Sequence, residues 1–265
     1  MAVVVSPNLI YGHVKDSKVL LRAWELLESD NEIQETNKMA NIMAVGRLKF
    51  NDHGVVHSRI VAGSALEILN LLLESGIKPS ALAFGTARNV EEVKLIVLLA
   101  AYLHDIGNAV HRVNHEHLGV LLANNILDRI LPEIMTKKDK LRCCLKYEVM
   151  HTIYATDSST NALTMEAGVV KIADGTDMAE GRARIPYKLG KIEMHAVSAI
   201  SIKQVLIDKG VNVHVKIEIV MNDYAGLFQV EEVLKPKIET SGLADYIEVY
   251  VLIGEKIQKI LPHSS

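Results

Sequence analysis

Cysteine is almost missing from this sequence: its 265 residues hold two, Cys143 and Cys144, side by side. Immediate neighbours give neither a disulfide framework nor the paired spacing of a zinc knuckle. They read as free thiols, and no cysteine nucleophile is indicated. Long apolar runs are missing as well. The longest, Leu95 to Leu103, covers about half a membrane span, and the start Ala2 to Val5 is too short an apolar run to be expected as a secretory signal. Neither sign of charge dominates. Against 32 acidic residues stand 29 basic ones, and a formal net charge of −3 removes any global electrostatic case for nucleic-acid or membrane binding. A polyanion would have to be met by a local patch. Also absent are a Gly-x-Ser-x-Gly elbow, a Gly-x-x-x-x-Gly-Lys loop and a Gly-x-Gly-x-x-Gly turn, so acyl-transfer, nucleotide-loop and dinucleotide chemistry lack their usual supports. No repeat, heptad array or low-complexity stretch stands out. The expected compartment is a reducing cytoplasm.

What is present is apolar material arranged with period. With 49% hydrophobic and 23% charged residues the chain can bury a full core. Leu20, Leu21, Trp24 and Leu27, and later Ile60, Leu66, Leu69 and Leu73, recur at the three- and four-residue spacing of amphipathic helices. One helix opens near Val55 and stops at Gly76, with Pro79 beyond. The next, Val90 to His104, is apolar nearly all round and belongs in the middle of a bundle. After about Lys191 the pattern changes. Val211, Val213, Val215, Ile217, Ile219 and Met221 alternate with polar residues, the signature of a strand with one wet face. Leu227, Val230, Leu234 and Ile238 return to helical spacing, Gly242 ends that helix, and Tyr246 to Ile253 reads as a second strand. The period of residues 196–207 fits strand and helix equally. The expectation is a mostly α chain: a helical domain over 1–190 and a small α/β domain over 191–265, regulatory or for oligomerisation.

The stretch richest in chemistry is LLAAYLHDIGNAVHRVNHEH, Leu98 to His117. An apolar helix ending in His104, Asp105 and Gly107 places an imidazole and a carboxylate at the mouth of a core. Histidine offers a neutral nitrogen ligand, and aspartate an anionic oxygen that can bridge two cations. A helix-end pair that caps backbone groups would read the same way, so its company matters. His57 stands near the start of an earlier helix in NDHGVVHS, and Asp174 closes the apolar run VVKIAD.

In this order and context, the His-Ser after a polar turn, LHDIG at the end of an apolar helix and KIAD resemble the HD phosphohydrolase superfamily over roughly residues 45 to 185. The resemblance implies an HD-type helical bundle in which His57, His104, Asp105 and Asp174 bind a divalent metal. His115, opening a new helix in HEHLGVLLA, and His151, in VMHTIY, match histidines that the mononuclear branch lacks. They imply a second cation held by Asp105, His115 and His151, with Asp105 as bridge. His111 and His117 compete with His115 for that place. One or two ions per chain are expected, among Mn, Co, Ni, Fe, Zn and Mg.

Members of the family often carry a lysine after the HD-x-Gly; here the residue is Asn108. Other cations are then the candidates for phosphate. Arg47, ten residues before His57, resembles the arginine of members acting on nucleotide monophosphates, and Arg59 and Lys171 flank expected ligands. Arg182, Arg184, Lys188 and Lys191 form a basic run after Asp174 that either lines the cleft or is a solvated loop. Asp177 is expected to support a ligand histidine or to sit as a helix-terminal charge.

The implied activity is hydrolysis of a phosphate ester, of a nucleotide or a related phosphorylated compound, with Asp105 orienting the nucleophilic water, Lys171 near the phosphate and His111 protonating the leaving oxygen. Three rival readings remain open: a ribonuclease-like phosphodiesterase, since the segment after Asp174 looks like that of bacterial ribonuclease Y; an HD-type diiron oxygenase; and a metal-stabilised regulatory protein without turnover. The expected partner is a small phosphorylated substrate. Nucleic acid is not favoured, no membrane is expected, and a homo-oligomer is compatible.

Overall fold

A computed structural model describes residues 2–135, 140–179 and 194–262. Among the described residues a two-residue strand, β1 (Val3–Val4), is followed by nine α-helices: α1 (Leu9–Val14), α2 (Lys18–Ser29), α3 (Asn31–Asn41), α4 (Val55–Glu74), α5 (Ser80–Ala83), α6 (Val90–Leu103), α7 (His115–Ile134), α8 (Lys140–Tyr154) and α9 (Met165–Thr176). Their starts are written in the sequence. Ser17, Asp30, Asn89 and Thr164 each accept a hydrogen bond from the backbone N–H three residues on, at 2.9–3.1 Å, which satisfies a helix-end donor that would otherwise be orphaned.

The bundle is organised around α6, whose residues from Val93 to Leu103 are all buried apart from Lys94. That fits its all-round apolarity. It packs on α2, α4, α8 and α9, and α4 in turn packs on α1 and α9. By length and composition α4 could cross a membrane, yet 67% of its apolar window is buried inside the fold. Its apolarity is matched by core partners.

After α9 come α10 (Met194–Ile200), β2 (Ile202–Lys209), β3 (Val215–Met221), a helical stretch α11 made of Leu227–Gln229, a wider π-helical Val230–Leu234 and Lys235–Glu239, and finally β4 (Ile247–Ile253) and β5 (Lys256–Leu261). The segment left open between strand and helix is both, switching at Ser201. The alternating strand is present with its expected inner face, Val215, Ile217, Ile219 and Met221 all buried. It is shorter than expected, because Val211 to His214 form the turn from β2.

Among the described residues five strands lie in the order β1-β2-β3-β4-β5. Only β3 and β4 are parallel, and α11 crosses between them. The sheet takes its first strand from the chain's start: Val3 pairs with Ile207 and Val4 with Leu206. The buried apolar residues of bundle and sheet form one continuous cluster.

Candidate metal centre

Three helix ends converge to make the site. His57 lies in the first turn of α4, His104 caps the C-terminus of α6 with Asp105 beside it, and Asp174 stands in the last turn of α9. These helices pack on one another, so each candidate ligand is carried on a packed helix. The loop after Asp105 is pressed onto α7, where a Cβ at Gly107 would lie 1.9 Å from the His115 carbonyl oxygen. Only glycine permits that approach. It carries His115 to Asp105.

His57 Nε2 lies 3.2 Å from His104 Nε2, 3.2 Å from Asp174 Oδ1 and 3.3 Å from Asp105 Oδ2. His104 Nε2 is 3.6 Å from Asp174 Oδ1 and 3.7 Å from Asp105 Oδ2. An ion bonded to N and O donors at ~2.1 Å holds neighbouring donors about 3.0–3.4 Å apart. The four donors are therefore close to the spacing of one coordination shell.

The far sides of the rings fit the same reading. His104 Nδ1 donates to the Ala101 carbonyl at 2.8 Å, and His57 Nδ1 donates to Asp177 Oδ2 at 2.6 Å, so both Nε2 lone pairs face the centre. Asp177 has the supporting place that its spacing from Asp174 allowed.

Asp105 spans two neighbourhoods. Its Oδ2 also meets His53 Nδ1 at 2.5 Å, while its Oδ1 faces His115 Nε2 at 3.2 Å and accepts from Asn108 Nδ2 at 3.0 Å. Burial pushes this carboxyl up, but the nearby His53 and His104 charges and hydrogen bonds from His115 and His53 hold it well below the usual carboxylate range. Asp174 behaves alike: burial opposes ionisation, and Lys237 with His104 and His57 overcomes it. Burial pushes His115 down, yet its hydrogen bonds to Asp105 and Glu116 raise it to about 9. Both carboxyls are thus favoured in the ionised form that a divalent cation requires.

Several expected residues lie elsewhere. His151 does not join Asp105 and His115: its Nε2 accepts from the Leu163 backbone N–H at 3.3 Å, and burial lowers its pKa. Lys171 is fully buried, its ammonium donating to the Thr160 carbonyl and to Thr240 Oγ1; among the described residues the lysine beside the centre is Lys237, 2.7 Å from Asp174 Oδ2. His111 is exposed and its Nδ1 accepts from Val113 N–H at 2.9 Å. Arg47 is exposed beside Met43 Sδ, and Arg59 pairs with Glu28. Arg182, Arg184, Lys188 and Lys191 lie outside the described residues.

Three residues at the site escaped sequence reasoning. His53 stands four before His57, a spacing that carries no weight ahead of a helix start. Lys237 is one of several charges on α11. Arg112 follows Asn108 by one helical turn's worth of residues, and its guanidinium donates to Asn108 Oδ1 at 3.2 Å and lies 3.1 Å from His115 Nε2. The arginine of this loop thus lies between Asn108 and His115, beside Asp105.

A family model, the HD domain, matches residues 54–179, from the N-cap of α4 to just past Asp177. The chain belongs to the HD-domain metal-dependent phosphohydrolase superfamily. The match contains His57, His104, Asp105 and Asp174 and leaves out His53, the sheet and α11. An uncharacterized protein of Methanocaldococcus jannaschii is 41% identical over 233 residues, 88% of this HD protein and 89% of the relative. The likeness therefore extends well beyond the HD domain. No solved structure matches significantly.

Proposed function

We propose that this HD protein hydrolyses phosphate esters with the help of one or two divalent cations, and that nucleotides are the first substrate class to test. The observation that carries the reading is the convergence of His57, His104, Asp105 and Asp174 with both imidazole Nδ1 atoms already engaged behind them. A divalent cation bound there supplies a water of lowered pKa and neutralises charge on the phosphoryl oxygens.

The chain's own residues do the rest. His57 and His104 hold neutral nitrogen donors in fixed tautomers, Asp177 and the Ala101 carbonyl keeping them oriented. Asn108 fixes the outer oxygen of Asp105, whose neighbours His53 and His115 offer donors for a second cation. Arg112, at the edge of this cluster, can turn its guanidinium onto a substrate phosphate, for which its planar fork is suited. His111, exposed on the same loop, is the proposed donor to the leaving oxygen.

The test is to strip the purified protein with a chelator, reload it with Mn, Co, Ni, Fe, Zn or Mg in turn, and assay nucleotide monoesters, phosphodiesters and RNA. Turnover that disappears on stripping and returns on reloading is expected. A fully loaded protein inert towards the whole panel would overturn the hydrolase reading, and oxygen consumption by the iron form would favour the oxygenase.

A further inference from the structure

Lys237 belongs to α11, beyond the HD domain, yet its Nζ lies 2.7 Å from Asp174 Oδ2 and donates to the Thr156 carbonyl at 2.9 Å. The Lys237 and Asp174 side chains are only 13% and 15% exposed. The approach is built into the packing of α9. A Cβ at Gly175, next to Asp174, would come within 3.0 Å of Leu234 Cδ1 and 3.3 Å of Lys237 Cδ, so the lysine stem lies across a glycine. Two turns earlier, a Cβ at Gly168 would meet the Ser241 carbonyl oxygen at 2.3 Å. Between them Lys171 donates to Thr240 Oγ1 at 2.9 Å. Gly168, Lys171 and Gly175 fall on one face of a helix, and that face is shaped to seat the end of α11.

We propose that Lys237 is a positioning residue for the metal centre: its ammonium holds Asp174 Oδ2 so that Oδ1 points at His57 and His104, and the segment after the HD domain thereby completes the site. The proposal rests on the reading of His57, His104, Asp105 and Asp174 as a cation site. The physical reason is orientational. A buried carboxylate with one oxygen anchored loses the rotation that would carry the other away from the cation, and loss of such an outer partner typically costs about 10–100-fold in metal affinity. The opposing effect is repulsion between the ammonium and a divalent ion. Because the ammonium is anchored on Oδ2 and on the Thr156 carbonyl, while Oδ1 is the oxygen beside His57 and His104, we expect orientation to win.

The experiment uses the full chain, with Mn2+ as probe, and compares wild type with Lys237→Met, Lys237→Gln and Lys237→Arg. Affinity is read by manganese titration, coordination by the visible bands of the Co2+ forms, and folding by circular dichroism of the stripped proteins. Lys237→Met should bind Mn2+ about 10–100-fold more weakly and show altered cobalt bands, while Lys237→Arg recovers most of both. If Lys237→Met does not fold, Lys237→Gln decides, and is expected to fall between. Unchanged or tighter binding in the folded variants, with wild-type cobalt bands, would overturn the positioning role while leaving the cation site intact. A wild type that binds neither metal would overturn both.

Discussion

His57 reaches Asp177 with one ring nitrogen and Asp174 with the other, at 2.6 Å and 3.2 Å, although the two aspartates are only three residues apart at the end of α9. One helix end thus supplies both a donor for a cation and the carboxylate that fixes the tautomer and raises the basicity of its neighbour. Asp177→Ala is expected to weaken divalent-metal binding by about 10–100-fold with the helical content intact. Elemental analysis and manganese titration of the folded variant check this; wild-type affinity would remove Asp177 from the site.

Asp105 touches both neighbourhoods of the cluster, so Asp105→Ala should lose all bound metal. His115→Ala should lose at most one ion per chain. His151→Ala, whose ring is turned to Leu163 instead of Asp105, should keep the wild-type content. Metal stoichiometry of the three proteins after identical loading distinguishes these outcomes, and loss of an ion from the His151 variant would restore that residue to the centre.

Arg112 carries the positive charge of the loop between Asp105 and His115. Its removal should spare metal binding and weaken phosphate recognition, because a charge-assisted hydrogen bond contributes roughly 1.5–3 kcal/mol, or about 10–100-fold. The measurement is inhibition by inorganic phosphate of the metal-loaded Arg112→Ala protein, together with KM on whichever ester is turned over. An unchanged inhibition constant would exclude the arginine from the phosphate site.

Much of this was legible from period and order. The all-round apolarity of α6 announced its central place, and β3 shows its inner face in the alternation from Val215 to Met221. His104 with Asp105, and Asp174, could be singled out because each closes an apolar run, and His57 because its place after a polar turn resembles the HD family. The rest was hidden for physical reasons. Residues 196–207 change from helix to strand at Ser201, so neither period runs long enough to be seen. β1 is two residues long, and the first three residues of β5 are exposed at the sheet edge. His53 and Lys237 owe their places to chain geometry: one enters from the turn before α4, the other from a helix 63 residues beyond Asp174.

Lys171 offers a pH test independent of metal. Burial, with Lys237 nearby, lowers its pKa from 10.5 to about 8 against the pull of Asp157. Between those values the unfolded chain binds more protons at this group than the folded one, so its favourable contribution is fully present above about 10.5 and is lost as pH falls through about 8. The stability of the stripped wild type, measured against stripped Lys171→Met, should therefore rise from pH 8 to pH 10.5 and stay level below 8. A difference that is flat over the alkaline range would show that the lysine is solvated.

The sequence pattern favoured a division near Gly190, with the helical part able to keep its metal alone. The contacts argue for a different outcome when the chain is cut there. Removal of 191–265 would take away the partner of β1, uncover the surface of α4 that packs on β2 and β3, and expose the face of α9 shaped around α11. It would also leave Lys171 without Thr240 and Asp174 without Lys237. The apolar cluster is continuous across the cut, and exposing buried apolar area costs about 25 cal/mol per Å2, a large term against a net stability of about 5–15 kcal/mol. The expected result is a fragment 1–190 that is poorly soluble or, where it folds, binds Mn2+ more weakly than the full chain by at least the factor found for Lys237→Met. Circular dichroism, mass in solution and manganese titration of the fragment decide the matter. A stable fragment with full metal affinity would mean that the C-terminal segment is an independent domain and that α11 contributes nothing to the centre.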